Sequence, residues 1–384
     1  MTLAILGVTA SACSTASSPD PDAESAVSAE TVPAAKADAP ALPPDVDMTI
    51  HSVPLGEIHF DTFDGGSVTL ADSTPEIRNT LLDAIPPIDE PVYGLAEQGD
   101  WLEPDDLVLG YLAGDNAYAY PFKILNFHEI VNDKIDDIPV LVSYCPLCRS
   151  AIVYDRRVDG RELAFSNTSA LHESDLVMVD RTTGSYWWQV AGSAIVGPLT
   201  GASLEVLPST IATWDEWTNT HPDTYVHTRD TGFERPYESD SFGGYADYVA
   251  SGNFVFPVSP ASLDDRLPPA SLVVAVTIGD TVRAYQVDDL GSPINDTVEG
   301  SPIVILPTDG GGASFGAISN GYVLTFERRG DRIIDAETES TWSAGGVAID
   351  GELEGATLDP IPSRTQFWFA LVGAFPDVEV FTSP

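Results

Sequence analysis

The sequence predicts a mainly β protein with a few short helices, arranged as two tandem homologous β-rich lobes related by internal duplication. Three observations support this fold class. Most patterned segments are short, rich in β-branched or aromatic residues and bounded by Gly, Asp or Pro, which is typical of strands. Helical periodicity is confined to brief stretches. Finally, one set of landmarks occurs twice in the same order, which indicates two copies of one unit rather than a solenoid.

The repeat is visible in turn and tryptophan motifs. Its matched pairs are Gly114-Asp115 with Gly279-Asp280, Asn132-Asp133 with Asn295-Asp296, and Asp180-x-x-Thr183-x-Ser185-x-Trp187 with Asp335-x-x-Thr338-x-Ser340-x-Trp342. The spacing between partners drifts only through short insertions and deletions. The shared residues predict a Gly-Asp hairpin turn, an Asn-Asp turn and one core tryptophan in each lobe.

These landmarks divide the 384-residue chain into six parts. They are a signal and lipobox-like segment (1–13), a disordered tether (14–47), an N-terminal lead-in (48–99), a first lobe (100–228), a connecting segment (229–269) and a second lobe (270–384). The chain is long enough for two sizeable cores.

The N-terminal segment predicts export. Residues 1–13 combine an apolar run with small residues and end at Cys13, which is placed as a lipid-acceptor cysteine. The following Ala, Ser, Pro, Asp and Glu residues have no periodicity and predict a disordered tether. We therefore expect a protein anchored by lipid to the outer face of the cell membrane or in the periplasm. An ordinary cleaved signal, giving a soluble secreted protein, is the alternative, because Ala10 stands where a lipoprotein signal usually has Leu.

Within the first lobe, four segments have the composition of strands and two have helical periodicity. The strands are predicted at residues 108–113, 139–144, 151–154 and 176–179. The helices are predicted at residues 122–131, from apolar positions on one face, and 213–220, from a capping Thr before it and His-Pro after it.

The net charge of −42 excludes one class of partner. Such a charge repels nucleic acid and anionic lipid surfaces, so nucleic-acid binding is not expected. The protein is therefore expected to reach the membrane through its lipid anchor and not through its surface charge.

The two lobes differ where their residues carry chemistry. At matched positions the second lobe replaces His128 by Gly291, Glu129 by Ser292, Cys145 by Thr308, Cys148 by Gly311, Met178 by Ile333 and Gln189 by Ala344. Because the fold is expected to persist without these groups, we interpret them as a functional site of the first lobe.

The Cys145-Pro-Leu-Cys148 segment between two predicted strands is typical of a metal-binding knuckle. His128 is the expected third ligand, and Met178, Gln189, Glu129 or water is the fourth. A Cys2His set suits copper or zinc, and an added Met would favour copper, so copper is preferred over zinc by a small margin.

Three other interpretations stay open, and whether the protein is an enzyme is undecided. The cysteines could perform thiol–disulfide exchange, although the strand predicted after them removes the helix dipole that usually activates such a pair. A zinc-dependent hydrolase with Glu129 as general base is the second, although adjacent helical side chains diverge by about 100°. A static disulfide, with His128 packing nearby, is the third.

These motifs resemble DUF3179, a family of exported bacterial and archaeal proteins of unknown function. The motifs are Ile85-Pro86-Pro87-Ile88-Asp89, His128 to Asp133, Tyr144 to Cys148, Asp180 to Gln189, and His221 to Thr224. The resemblance covers residues 80 to 384 and implies no activity. Two positions depart from the family pattern or stand outside it: Arg149 replaces the usual Gly after the second Cys and is expected to narrow access to the pair, and His172 matches no family motif and is expected at the surface.

Overall fold

The computed structural model describes residues 42–239, 241–287 and 290–382. Cys13 and most of the predicted tether lie outside these residues. In the described part of the chain, no helix has the length and apolar character needed to span a membrane. The described residues form one compact unit whose structure is mainly β with short helices, which confirms that part of the predicted fold class.

The five α-helices each span one or two turns. They are α1 (Pro75–Leu81), α2 (Phe122–His128), α3 (Trp214–Thr220), α4 (Tyr245–Ala250) and α5 (Trp368–Ala374) in the described residues. Four 3-10 turns accompany them at Leu55–Glu57, Leu70–Asp72, Ala96–Gly99 and Pro260–Ser262.

Strands make up the rest of the regular structure. Up to the connecting segment they are β1 (Ile58–Asp61), β2 (Ser67–Thr69), β3 (Tyr93–Leu95), β4 (Leu107–Ala113), β5 (Asn116–Pro121), β6 (Ile130–Ile135), β7 (Ile138–Cys145), β8 (Ser150–Asp155), β9 (Arg157–Val158), β10 (Arg161–Glu162), β11 (Phe165–His172), β12 (Asp175–Asp180), β13 (Tyr186–Trp188), β14 (Ser193–Val196), β15 (Glu205–Leu207), β16 (Ser209–Thr213) and β17 (Tyr225–His227). Beyond it they are β18 (Leu272–Ile278), β19 (Thr281–Gln286), β20 (Ile294–Val298), β21 (Ser301–Thr308), β22 (Gly311–Gly316), β23 (Ile318–Ser319), β24 (Tyr322–Val323), β25 (Phe326–Arg329), β26 (Arg332–Asp335), β27 (Thr341–Trp342), β28 (Ala348–Asp350), β29 (Ser363–Phe367) and β30 (Glu379–Val380).

The strands pair in the same order before and after the connecting segment. The order β16-β4-β5-β17 corresponds to β29-β18-β19-β30, with two antiparallel pairings followed by a parallel one. The order β6-β7-β8 corresponds to β20-β21-β22, and β11-β12-β13-β14 corresponds to β25-β26-β27-β28. The lead-in adds β1 and β2 beside β11 and β3 beside β17. We call the lead-in and first lobe (48–228) the first half and the second lobe (270–384) the second half, so these additions belong to the first half.

The shared motif residues make the same contacts in both halves. The Trp187 indole donates to Asp180 at 3.1 Å, and the Trp342 indole donates to Asp335 at 2.9 Å. Each Trp is buried, as predicted. Asn132 exchanges two hydrogen bonds with the backbone of Phe165, and Asn295 does the same with Phe326. These hydrogen bonds connect β6 to β11 and β20 to β25.

Two local predictions need correction. The helix predicted at 122–131 ends at His128 because Glu129 adopts a left-handed φ of 57°, and β6 begins one residue later. The Asn-Asp pairs lie within β6 and β20 and not in turns, because their side chains bond to neighbouring strands. By contrast, both Gly-Asp pairs form the predicted hairpin turns, and the strands at 108–113, 139–144, 151–154 and 176–179 are confirmed with ends that differ by a residue or so.

One sheet contains strands from both predicted lobes. Strand β8 of the first half pairs with β29 of the second, with Ala151 opposite Thr365. At the corresponding place in the other half, Thr308 Oγ1 of β21 donates to the carbonyl of Ile211 in β16 at 2.7 Å. Strands from the two halves therefore lie side by side at β8 and β29, and β21 contacts β16.

Candidate metal centre

The two cysteines lie at the start and in the middle of the tight connection between β7 and β8. Cys145 is the last residue of β7 and is paired with Ser150, the first residue of β8. The chain turns back through Pro146 to Arg149, and Arg149 adopts a left-handed φ of 52°. Glycine adopts this conformation with less strain than other residues, so the backbone of the turn would favour glycine at this position.

A second hairpin delivers a carboxylate to the cysteines. Strands β11 and β12 are joined by Glu173 and Ser174, which both have left-handed φ values, 51° and 57°. Two such residues in succession form a turn that normally contains Asn or Gly, so this tip is strained. Asp175 follows the turn directly and is completely buried. The strained turn therefore positions the Asp175 carboxylate in the core.

Cys145, Cys148 and Asp175 come together in one buried group. One ligand atom from each lies within 4.8 Å of those of the other two. The Cys148 sulfur is 2.8 Å from Asp175 Oδ1 and 2.9 Å from Ser150 Oγ, and the other Asp175 oxygen accepts the Val190 backbone N–H at 2.8 Å. Both cysteines are free thiols, so this structure contains no disulfide between them. We call these three residues the Cys2Asp group.

A buried amide network supports the group from one side. Ser150 donates to Gln189 Oε1 at 2.6 Å, and Gln189 Nε2 donates to Ser143 Oγ at 2.9 Å. The Gln189 carbonyl accepts the Tyr154 hydroxyl at 2.7 Å. Gln189 is therefore linked to the Cys148 sulfur only through the Ser150 hydroxyl, and it is not one of the Cys2Asp residues.

Burial controls the charge of these groups. Loss of solvation raises the pKa of both thiols, that of Cys148 to well above its ordinary value. Burial also raises the pKa of Asp175 to about 6, although the hydrogen bond from Cys148 opposes this rise. Three acidic groups thus share a site in which their anionic forms are disfavoured. A bound cation would reverse that preference.

His128 lies elsewhere. Its Nδ1 donates to the Pro86 carbonyl at 2.7 Å, and its Nε2 accepts the Tyr237 hydroxyl at 2.7 Å, so both ring nitrogens have protein partners. Burial lowers the pKa of His128 to about 4, which agrees with a neutral ring in this arrangement. The ring also packs against Phe233, at 5.3 Å between ring centroids. His128 therefore ties the lead-in to the connecting segment, and the Cys2His set expected from sequence is not assembled in this structure.

Glu129 and Met178 are buried near the Cys2Asp group without joining it. Glu129 accepts a hydrogen bond from Asn167 at 2.8 Å, and burial raises its pKa to about 8, with Asp175 as a contributing negative charge. Met178 is buried three residues after Asp175 on β12. Because side chains alternate along a strand, this spacing directs Met178 to the opposite face from Asp175.

Asp175 is the site residue that the sequence comparison missed. The first hairpin is longer than its counterpart: its strands continue to His172 and Asp175, whereas β25 and β26 are joined at Gly330-Asp331. Asp175 precedes four apolar residues, and the offset that aligns the two tryptophans aligns Asp175 with Gly330. This difference between the two lobes was a usable signal. Register also corrects one alignment, because Gly311 corresponds to Ser150 and the shorter second turn has no counterpart of Cys148.

A second group of ligand-type side chains lies on the outer side of the same hairpin tip. Glu57, His172 and Glu173 approach within 4.8 Å of one another. His172 is buried and packs edge-on against Trp188 at 4.6 Å, so the expectation of a surface residue was wrong. Glu173 already accepts the Ser259 backbone N–H and the Ser262 hydroxyl. These contacts give the group a structural role in holding the connecting segment.

Fold and site together define a mainly β protein with a buried dithiol and carboxylate between two hairpins. Residues 82–378 match the family described as protein of unknown function (DUF3179), and the chain belongs to that family. No curated protein and no solved structure matches the chain.

Proposed function

We propose that this protein is an extracytoplasmic metal-binding protein whose ion is held by Cys145, Cys148 and Asp175. The observation that carries the proposal is the convergence of these three ligand atoms in the buried core. Burying three acidic groups together is costly unless a cation compensates them. Ion binding would displace the thiol protons and exchange the hydrogen bond between Cys148 and Asp175 for metal–ligand bonds.

Zinc suits this ligand set better than copper. The sequence argument for copper depended on His128 and Met178, and His128 has other partners. Two thiolates and one carboxylate combine soft and hard donors, which zinc accepts and copper(I) does not favour. A dipositive ion also offsets more of the negative charge than copper(I) would. The proposed ion is therefore zinc, with three protein ligands.

Metal analysis of protein purified without oxygen tests the proposal. We expect about one zinc ion per chain, with zinc–sulfur distances of about 2.3 Å by X-ray absorption. The variants Cys145→Ser, Cys148→Ser and Asp175→Asn should each weaken zinc affinity by more than about tenfold. His128→Ala should leave the zinc content of the folded fraction unchanged, because His128 contacts Pro86 and Tyr237.

Thr308→Ser is the matched control, since Thr308 stands opposite Gly311 in the second half as Cys145 stands opposite Ser150 in the first. This control should bind zinc as the parent does. Full zinc retention by both cysteine variants, or loss of zinc in His128→Ala alone, would contradict the proposed ligand set.

Thiol–disulfide exchange is the second candidate, and one contact favours it. Asp175 Oδ1 lies 2.8 Å from the Cys148 sulfur and has its pKa raised to about 6, so this carboxylate can accept the thiol proton near neutral pH. A reversible Cys145–Cys148 disulfide in protein that never binds zinc would favour this function. Both thiols are buried, which limits the access that exchange requires.

Two further parts of the proposal concern the whole chain. Lipid attachment at Cys13 would hold the protein to the outer membrane face or in the periplasm, and Cys13→Ser should release it from membranes. The two halves would descend from one duplicated unit, which the matched strand order and the paired Trp–Asp hydrogen bonds support. Superposing residues 100–228 on 270–384 tests this origin, because Trp187 and Trp342 should coincide.

A further inference from the structure

We propose that the Cys2Asp group binds its ion in an open form, and that Ser174 and Tyr245 hold a small oxygen ligand, water or hydroxide, at the fourth coordination position. This inference rests on the proposed metal function. It adds two residues, one from the strained hairpin tip and one from the connecting segment, that neither the sequence motifs nor the Cys2Asp geometry assigns.

The first support is a pair of buried hydroxyl groups. Ser174 is completely buried, and its hydroxyl makes no hydrogen bond of normal geometry in the described part of the chain. The same is true of the Tyr245 hydroxyl. Buried polar groups nearly always have a hydrogen-bond partner, so two hydroxyls that lack one of normal geometry need an explanation. A shared ligand between them would supply one.

The second support is where these hydroxyls lie. Ser174 immediately precedes Asp175, and its left-handed φ of 57° is part of the strained tip that sets the carboxylate. Burial raises the pKa of Tyr245 to about 12, a weak hydrogen-bonding interaction with the nearby Ser174 hydroxyl opposes this rise, and the Cys145 and Cys148 thiols add to it. Tyr245 also packs against the core cluster that contains Cys145 and Cys148. By contact and by sequence position, the two hydroxyls therefore lie near the sulfurs and the carboxylate.

The third support is the helix that carries Tyr245. Helix α4 packs Val249, which is fully buried, into the same core cluster as Cys145 and Cys148. The chain thus places a covering helix with an inward tyrosine over the half that carries the Cys2Asp group.

Coordination chemistry connects these observations. Zinc is usually four-coordinate, and sites with three protein ligands bind water or substrate in the fourth position. A hydroxyl donor and a second hydroxyl that can donate or accept would orient an oxygen bound there. Second-layer hydrogen bonds of this kind fix the position of a metal-bound ligand. Ser174 and Tyr245 would therefore act as positioning residues for the exogenous ligand.

Cobalt substitution separates this inference from the proposed function. Co²⁺ is added to the full chain, free of other metals and oxygen, and two spectral features are followed. A thiolate-to-cobalt charge-transfer band reports ion binding at the cysteines. The ligand-field bands report the fourth ligand, and azide, a small anion, is titrated as a probe of that position.

We expect azide to shift the ligand-field bands of the parent while the charge-transfer band persists. Tyr245→Phe and Ser174→Ala should keep the charge-transfer band but change the azide affinity by at least about tenfold. Tyr248→Phe is the matched control, since Tyr248 lies on the same helix and is 45% exposed, and it should respond as the parent does.

The two ideas fail differently. A normal charge-transfer band with no azide response in the parent, or with parent-like azide affinity in both variants, would overturn the open position and leave the metal centre standing. Absence of the charge-transfer band would overturn the metal centre and the open position together.

Discussion

At the scale of single residues, comparing the two lobes identified the cysteines of the site correctly but misplaced His128. The cysteines were identified because the second half lacks them, and the structure places them together. His128 was identified by the same contrast, but its contrast reflects the connecting segment that it holds through Tyr237. A difference between the two lobes indicates that a residue makes a contact specific to its own lobe. The difference does not identify the partner, because hydrogen-bond partners that are distant in sequence cannot be read from a comparison of aligned positions.

Glu129 permits a prediction about pH. Its pKa is near 4.3 in an unfolded chain and about 8 in the folded protein, where burial disfavours the charge. Between these values the folded state keeps a proton that the unfolded state releases, so this group makes stability fall as pH rises from about 4.5 to 8. Glu129→Gln, which stays neutral, should remove that slope and be more stable than the parent at pH 8 by on the order of 3 kcal/mol.

Urea unfolding of both proteins at pH 5 and pH 8, with matched metal content, measures the effect. Glu354→Gln, at an exposed position of the second half, is the control and should follow the parent. Identical pH profiles for Glu129→Gln and the parent would show that Glu129 is ionised in the folded state across this range.

At the scale of elements, strands and turns were predictable where local patterns dominate. Alternating and β-branched segments predicted β4, β7, β8 and β12, and Gly-Asp pairs predicted the hairpin turns. The end of α2 was not predictable from apolar spacing, because the left-handed Glu129 interrupts a pattern that continues to Val131. The position of Asp175 depended on hairpin length, which sets strand register and is fixed by contacts across the sheet.

The fit between strand β4 and helix α3 gives an element-scale prediction. A methyl group at Gly110 would lie 2.1 Å from the ring of Trp217, far inside van der Waals contact. In the second half the matching residues are Ala275 and Leu371, which share one core cluster. Gly110→Ala should therefore destabilise the protein by about 1–3 kcal/mol through overpacking.

Trp217→Leu should relieve much of that clash, since the pair would then resemble Ala275 with Leu371. A double-mutant cycle by chemical denaturation should give a favourable coupling of about 1 kcal/mol or more between the two changes. Additive costs would mean that Trp217 moves aside freely and that β4 and α3 are not packed as the structure has them.

At the scale of the whole molecule, the sequence predicted two similar units but not how they combine. Matched landmarks reveal repeated strand order because they occupy equivalent turns and cores. No sequence pattern indicated that strands of the two halves pair, since the pairing of β8 with β29 joins residues more than 200 positions apart. Periodicity describes each segment alone. Pairing between distant segments is decided by the packing of complete sheets.

This pairing predicts that the halves unfold together. The Cys148 carbonyl accepts the Phe367 backbone N–H at 2.8 Å, and Phe367, Phe369 and Ala370 belong to the same core cluster as both cysteines. A chain cut after residue 269 would lose these partners and leave the β8 edge and an apolar surface uncovered, which favours aggregation.

Calorimetry of the intact chain should therefore show one transition with equal calorimetric and van't Hoff enthalpies, and the shortened chain should lack the near-UV circular dichroism of packed aromatic residues. Cutting before residue 42 is the matched control for shortening the chain, because residues 42–384 include every described contact. Two resolved transitions, or a monomeric shortened chain with native aromatic signals, would mean that the first half completes its own core and that the Cys2Asp group does not depend on the second.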